Sequence, residues 1–161
     1  MSIREKPHRL QESNYQGEIS VSFTLCIKDR LQLFKSASAV NVFINILKSQ
    51  VEKSSCIIPV YCFMPDHQHL IVTGTDSNSG ILYFIKQYKQ KTGHWLSQHQ
   101  SSARWQKDFF DHIIRKDEGL VNLARYILDN PVRKGLVANW REYPYKGAIG
   151  CELDHILQAM V

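Results

Sequence analysis

The sequence has no long apolar run. No stretch of its 161 residues approaches the roughly 18 consecutive apolar residues of a membrane-spanning helix, and residues 1–10 lack the apolar segment of a signal peptide. Its four cysteines, Cys26, Cys56, Cys62 and Cys151, form no C-x-x-C pair, which argues against a zinc ribbon or a redox motif. These absences predict a cytoplasmic protein with no membrane partner and with reduced, mostly buried cysteines.

The length and composition are those of one globular domain, with 43% hydrophobic and 22% charged residues. The formal net charge is +5, and the positive excess is unevenly distributed. Residues 86–141 hold 11 basic and 5 acidic side chains, whereas the remainder is nearly neutral. A modest basic excess is compatible with a nucleic-acid partner but does not by itself require one.

Periodic patterns divide the chain into strands and helices. Residues 20–28 alternate between apolar and polar side chains, as in a half-buried strand, and residues 37–53 have the apolar spacing of an amphipathic helix. The remaining patterns predict, in order, a hairpin of two strands over 56–63 and 64–73, a helix after residue 80, a strand over 109–115, a helix from about residue 118, and a short terminal helix. This order predicts an α+β fold, with a ferredoxin-like antiparallel sheet and helices packed on one face.

Local signals refine these boundaries. Pro59 predicts an edge, a bulge or a strand start, because proline cannot donate a ladder hydrogen bond. Ser79 and Asp117 are candidate N-caps for the two helices that follow them. Asn130–Pro131 is predicted to end the second of these helices, since the residue before proline avoids the α region.

Two histidines provide the first chemical signal. His67 and His69 are two residues apart on a predicted strand, so their side chains share one face and could bind one metal ion. Histidine is also common on half-buried strands, so this pair alone leaves both readings open. By the same alternation, Asp66 and Gln68 are expected to point to the opposite face, which makes Asp66 a poor candidate ligand.

A tyrosine provides the second signal. At 100° per residue, Tyr126 lies away from the apolar stripe of Leu120 and Ile127 and shares its side of the helix with Asn130, one turn later. It is either a functional hydroxyl or a tyrosine that anchors the helix edge to the sheet.

Three blocks of sequence resemble a known family. Residues 64–70, MPDHQHL, resemble the M-P-[DN]-H-x-H-[LI] block of the single-tyrosine HUH transposases of the insertion-sequence-200-like class. Residues 105–112, WQKDFFDH, and 126–137, YILDNPVRKGLV, resemble two further blocks of the REP-associated tyrosine transposase branch. The resemblance implies a transposase domain over residues 20–147, an N-terminal arm over 1–19 and a C-terminal tail over 148–161.

The resemblance also implies roles for individual residues. Tyr126 would be the nucleophile, and His67, His69 and Asn130 would hold a divalent metal, Mg²⁺ or Mn²⁺. The reaction would be metal-dependent cleavage and strand transfer of single-stranded DNA, with hairpin or repeat-associated structure, through a 5′-phosphotyrosine. Gln68 departs from the hydrophobic residue that is common between the two histidines, and this affects the packing behind them rather than ligation.

The basic half of the chain would contact the DNA. The predicted phosphate contacts are Lys86, Lys89, Arg104, Lys107, Arg115, Arg125, Arg133 and Lys134. Tyr88, Trp95 and Trp105 are expected either to stack on bases or to pack in the core.

An alternative function is a catalytically silent nucleic-acid-binding module on the same fold. A metal-independent phosphoesterase is excluded, because its second histidine motif is absent. Within the family, the REP-associated branch favours a monomer over a dimer that exchanges the tyrosine helix.

Overall fold

The computed structural model describes residues 12–115 and 119–158. Its first strand is the segment in which apolar and polar side chains alternate. The helices and strands follow one another as β1 (Ser20–Cys26), α1 (Ala37–Glu52), β2 (Cys56–Met64), β3 (His67–Gly74), α2 (Ile81–His99), β4 (Phe110–Ile114), α3 (Leu120–Arg133), β5 (Lys146–Ile149) and α4 (Leu153–Gln158). Short 3₁₀ turns connect several of them, including one at Lys28–Arg30.

The five strands form one antiparallel sheet in the order β4-β1-β3-β2-β5. The first six elements follow the β-α-β-β-α-β order of a ferredoxin-like fold, and β5 extends the sheet beyond β2. The predicted fold class, α+β with an antiparallel sheet, is therefore confirmed. Pro59 lies where β2 changes register with both of its neighbours, so of the three predicted alternatives the bulge is present.

The two faces of the sheet carry separate cores. Alternate residues of β1, including Phe23 and Leu25, pack with Phe43 of α1 and with Ile85 of α2 on one face. The expectation of helices on one face holds for α1 and α2 only. Helices α3 and α4 cover the other face, because the interior strand β2 is apolar on both sides and needs a second cover.

The residues of α3 that face the sheet are Ala124, Ile127 and Leu128, and they contact Val60 and Ile71. This contact places α3 on the sheet face that carries the odd-numbered side chains of β3, including both predicted metal ligands.

Helix α3 continues through Pro131 and ends at Arg133, so the prediction that Asn130–Pro131 ends it is wrong by one turn. Proline in this last turn costs one backbone hydrogen bond, because its nitrogen cannot donate to the carbonyl of Ile127. Gly135, with φ of 73°, donates its N–H to Val132, and Leu136 donates to the carbonyl of Pro131. This pair of bonds is a Schellman cap, which ends the helix two residues after the proline.

The two predicted N-caps have different outcomes. Ser79 is buried and accepts hydrogen bonds from the N–H groups of Thr75 and Asp76 in the preceding loop. The residue at the N-cap position of α2 is Gly80, so the prediction for Ser79 is wrong. Asp117 lies outside the described residues.

The ends of the described chain pack against the sheet. Tyr15 is buried, and its hydroxyl donates to Asp111 at 2.6 Å, so part of the predicted N-terminal arm belongs to the core. The boundary predicted between residues 147 and 148 lies inside β5, because this segment pairs with β2. None of the helices in the described ranges is long and apolar enough to cross a membrane.

Gln68 and Tyr88 form a buried polar pair behind the histidine strand. The Tyr88 hydroxyl donates to Gln68 Oε1 at 2.5 Å, and both side chains are fully buried. Gln68 Nε2 has no hydrogen-bond partner among the described residues. Gln68 thus points away from His67 and His69, as the alternation predicts.

This pair supports a stability prediction. Gln68→Leu alone leaves the Tyr88 hydroxyl buried and unpaired, so the free energy of unfolding should fall by about 1–3 kcal/mol. Gln68→Leu with Tyr88→Phe removes both polar groups and should return to within about 1 kcal/mol of wild type. Urea unfolding of Gln68→Leu, Tyr88→Phe and the double variant measures their free energies of unfolding. Additive losses in the double variant would contradict it.

Candidate active site

His67 and His69 open β3 and project from the face that α3 covers. His67 lies between Cys26 of β1 and Met64 of β2 in the sheet register, and His69 lies one pleat further along. Their Nε2 atoms are 3.1 Å apart and their rings are perpendicular. The two imidazoles therefore converge through the same ring nitrogen, as two ligands of one ion would.

The other ring nitrogen of each histidine has its own partner. His67 Nδ1 donates to Asp66 Oδ1 at 2.6 Å, and His69 Nδ1 lies 3.1 Å from the hydroxyl of Thr24. Asp66 was expected to point away, and that expectation is wrong, because β3 begins at His67 and Asp66 belongs to the preceding turn. Carboxylate and hydroxyl partners of this kind fix the tautomer and orientation of metal-ligating histidines.

Burial keeps both histidines neutral. It lowers the pKa of His67, against the opposing effect of the Asp66 carboxylate. It lowers the pKa of His69 to about 3, helped by the positive charge of Arg133. Neutral imidazoles present lone pairs to a metal ion. The 3.1 Å contact between the two Nε2 atoms is a hydrogen bond: with His67 Nδ1–H donating to Asp66, the Nε2–H of His69 donates to His67 Nε2.

The spacing of the two Nε2 atoms fits a metal ion. Two ligands at right angles around an ion with bonds of 2.0–2.1 Å are about 2.8–3.0 Å apart. No group of three histidine, cysteine, aspartate or glutamate side chains that could hold a metal occurs in the described part of the chain. Cys62, next to His69 in the register, is a poor ligand, because burial raises the pKa of its thiol to about 12.

Asn130 lies on the buried side of α3, only 8% exposed. Its Oδ1 accepts a hydrogen bond from Nη2 of Arg133 at 3.2 Å. The same guanidinium lies 4.0 Å from the centre of the Tyr126 ring and donates to Asp129 at 3.1 Å. Because its charge also lowers the pKa of His69, Arg133 connects the predicted nucleophile and third ligand to the histidine pair.

Tyr126 is 60% exposed, and its ring contacts the guanidinium of Arg133. It lines a cavity of about 400 Å³ with Arg125 and Trp140. His67 lines a different cavity, of about 300 Å³, with Lys134. The structure thus places Tyr126 and His67 on the same side of the sheet but in two neighbouring cavities, with Arg133 in the wall of the first.

The predicted phosphate contacts separate into groups. Arg125, Arg133 and Lys134 belong to α3 or its C-cap, on the side of the histidine pair. Lys86 and Lys89 belong to α2, on the opposite face, and the Lys89 ammonium donates to two backbone carbonyls. The others lie outside the helices: Arg104 and Lys107 in the loop before β4, and Arg115 just after it.

The candidate stacking aromatics are part of the core. Tyr88 is fully buried, and the indole N–H of Trp105 donates to Thr92 at 2.7 Å. Trp95 packs against the core and stacks on His99. Of the two alternatives predicted for these residues, core packing is the one observed.

Comparison with known proteins identifies the family of this chain. The chain matches the family model Transposase IS200 like over residues 15–130, which include His67, His69 and Tyr126. The chain belongs to the IS200-like transposase family. A Haemophilus influenzae protein named as a REP-associated tyrosine transposase is 27% identical over 148 residues, or 83% of this chain and 84% of that protein. A second, uncharacterized Haemophilus influenzae protein is 22% identical over 157 residues, or 77% and 86%.

A solved structure of a REP-associated tyrosine transposase bound to a REP hairpin has the same fold. Its TM-score is 0.73 at 20% sequence identity, and the match covers 88% of this chain and 81% of that chain. As a member of the IS200-like family, the chain is a DNA transposase, and its resemblance to the REP-associated branch is confirmed.

Proposed function

We propose that this transposase cleaves and rejoins single-stranded DNA, with Tyr126 as nucleophile and with a divalent metal held by His67 and His69. The observation that carries the proposal is the convergence of two neutral imidazoles, each oriented through Nδ1, beneath the helix that exposes Tyr126.

The metal would be Mg²⁺ or Mn²⁺. His67 and His69 would hold it, with the Asn130 amide oxygen as third ligand once Arg133 releases it. When bound, the ion supplies positive charge to a phosphodiester and so lowers the barrier to nucleophilic attack. Nitrogen ligands favour Mn²⁺ by affinity, whereas cellular abundance favours Mg²⁺.

Tyr126 forms and later breaks one covalent bond. A phenol is a weak nucleophile near neutral pH, so its hydroxyl gives up a proton as its oxygen attacks the phosphorus. The bond from phosphorus to the 3′-oxygen breaks, and that oxygen takes a proton and leaves as a free 3′-OH. The 5′-phosphotyrosine retains a phosphoester bond, so the 3′-OH of another strand can reverse the step without ATP.

The DNA would be a single strand with a hairpin, since the similar solved protein is bound to a REP hairpin. Arg125 and Arg133 line the cavity of Tyr126, and Lys134 lines the cavity of His67, so all three are placed to contact its phosphates. Because Tyr126 and both histidines lie on one side of one chain, we propose that the protein acts as a monomer.

The test is covalent capture of DNA. Wild-type protein is incubated with a hairpin-bearing single-stranded oligonucleotide and Mg²⁺ or Mn²⁺, and denaturing electrophoresis detects a protein–DNA adduct. An adduct that forms with either metal and is abolished by EDTA supports the proposal. The same oligonucleotide as a full duplex is the control, and absence of an adduct under every metal would overturn the proposal.

A catalytically silent DNA-binding module is the second candidate. The separation of Tyr126 from His67 in two cavities favours it, because a silent protein would have no need to bring them together. Binding of the hairpin oligonucleotide without any adduct, whatever the metal, would identify this function.

Asp66 provides a prediction about the metal. Asp66→Asn removes the anionic acceptor of His67 Nδ1–H and should weaken binding of Mn²⁺ by about 10- to 100-fold. Isothermal titration with Mn²⁺ measures the affinity. Asp29→Asn, in the neighbouring turn, removes the same charge without touching His67 and should bind Mn²⁺ like wild type. Equal affinities for the two variants would show that Asp66 does not act on the site.

A further inference from the structure

The cavity beside His67 is separate from the one that Tyr126 lines. It has a volume of about 300 Å³, and His67 forms part of its wall. Arg30 and Gln32, from the segment after β1, form one side, and Lys134 and Leu136, from the end of α3, form the other. No side chain of this cavity except His67 and Lys134 was predicted to be functional from the sequence.

The walls combine two kinds of surface. Arg30 and Lys134 bring two positive charges to the rim, and Asp66 brings one negative charge that already pairs with His67 and Arg30. Met64, Pro65 and Leu136 supply apolar surface, and Leu136 is 46% exposed. Exposed apolar surface beside two cations is suited to a ligand with a flat apolar part and an anionic part.

The turn that presents Arg30 is strained. Asp29 and Arg30 have φ of 58° and 57°, in the left-handed region, which costs a non-glycine residue of order 1 kcal/mol each. The N–H of Arg30 donates to Ile27, and its guanidinium contacts Asp66 at 3.6 Å and Cys26 Sγ at 3.7 Å. Two consecutive strained residues that aim a cation at a cavity indicate a functional constraint on the turn.

The opposite wall is fixed by the end of α3. The Schellman cap at Gly135 turns the chain so that Lys134 and Leu136 both reach the cavity. No hydrogen bond or ion pair of the Lys134 ammonium occurs within residues 12–115 and 119–158, so its charge is available to a ligand. The cap at Gly135 thus sets this wall of the cavity as well as the end of α3.

We infer that this cavity binds one nucleotide of the DNA strand, next to the phosphodiester held at His67 and His69. Arg30 and Lys134 hold its phosphate, Met64, Pro65 and Leu136 contact the base, and the Gln32 amide reaches the base edge. The volume is at the low end for small-molecule sites, which suits one nucleotide rather than a duplex. The inference rests on the proposed function, and it assigns to that site a subsite for the flanking nucleotide.

The test measures binding of a fluorescein-labelled hairpin oligonucleotide with a single-stranded extension, in the Tyr126→Phe background so that the DNA stays intact. Arg30→Asn removes the charge while asparagine tolerates the left-handed backbone. Lys134→Gln removes the other charge and leaves Asp66 untouched. Lys48→Gln removes an equal charge from the exposed side of α1, on the far face of the sheet, and is the matched control.

Arg30→Asn and Lys134→Gln should each weaken binding roughly tenfold, as expected for loss of a charged hydrogen bond. Each should also reduce the slope of log K against log salt concentration by about 0.7, the value for one phosphate contact on a single strand. Lys48→Gln should change neither quantity.

The inference is overturned if Arg30→Asn and Lys134→Gln bind with the affinity and salt slope of Lys48→Gln while the oligonucleotide is still bound. It is also overturned if Arg30→Asn alone weakens binding, since Arg30 would then act through Asp66. Absence of binding by the unsubstituted protein would instead overturn the proposed function, and the subsite with it. Thermal melting of each variant confirms that it is folded.

Discussion

Tyr126→Phe is expected to abolish the covalent protein–DNA adduct while leaving hairpin DNA binding within about twofold of wild type. The substitution removes only the attacking oxygen. Because the side chain is 60% exposed, the free energy of unfolding should change by less than about 0.5 kcal/mol. The ring remains in place for contact with the Arg133 guanidinium. Denaturing electrophoresis measures the adduct, and fluorescence anisotropy measures binding.

Tyr83→Phe is the matched control for this experiment. Tyr83 is 69% exposed on α2, on the opposite face of the sheet, so its hydroxyl is equally accessible to solvent but remote from the histidines. Its variant should form the adduct at the wild-type rate. An adduct that persists in Tyr126→Phe, or that disappears in Tyr83→Phe, would contradict the assignment of the nucleophile.

His67→Ala and His69→Ala are each expected to lower the rate of adduct formation by about a thousandfold, since a metal ion contributes several kcal/mol to transition-state stabilisation. Each variant removes one of the two Nε2 atoms that converge at 3.1 Å. The double variant should be little worse than either single variant, because loss of one ligand already disables the site. Single-turnover rates with Mn²⁺, and Mn²⁺ affinity by titration, measure both effects.

His94→Ala controls for the loss of an imidazole. His94 is exposed on α2 and should be replaceable without effect on metal affinity or rate. Melting curves of His67→Ala and His69→Ala separate a lost ligand from a lost fold. Wild-type adduct rates in either of these two variants would show that the histidine pair does not hold a catalytic metal.

The ferredoxin-like core follows from local sequence patterns. The alternation of β1 and the helical spacing of α1 predict both elements within two residues of their observed ends. The hairpin around Pro65–Asp66 and the position of His67 and His69 on one face also follow from the sequence. These features depend on side-chain period and turn chemistry, which a single sequence contains.

Features that depend on tertiary packing were not predictable in this way. The two-sided burial of β2 draws α3 to the second face, and the periodicity of α3 alone does not say which face receives it. Pro131 was expected to end α3, but the Schellman cap at Gly135 permits one further turn. The local sequence pattern predicts that helix α3 exists, whereas its packing against β2 and its C-terminal cap determine which face it covers and where it ends.

The surroundings of the histidines show the same limit. Asp66 reaches His67 because Asp66 belongs to the turn before β3, whereas the alternation assumes that it lies within the strand. Thr24 reaches His69 through the register of β1 with β3, which brings residues 45 positions apart into contact. Arg30 resembles any charged residue of a solvated turn, and only its left-handed backbone and its place beside the cavity distinguish it.

The basic excess of residues 86–141 divides across the two faces of the sheet. The cations of α3 lie beside the candidate active site, whereas those of α2 lie behind it. Charge counting along the chain therefore indicates the kind of partner but overestimates how many of these residues face it.

The identity of the residue that carries the DNA tests the account most directly. The adduct formed with hairpin DNA and Mn²⁺ is digested with nuclease and protease, and mass spectrometry locates the nucleotide-bearing peptide. We predict a single modified peptide, with a 5′-phosphate ester on the hydroxyl of Tyr126. A nucleotide attached to any other residue would contradict the account.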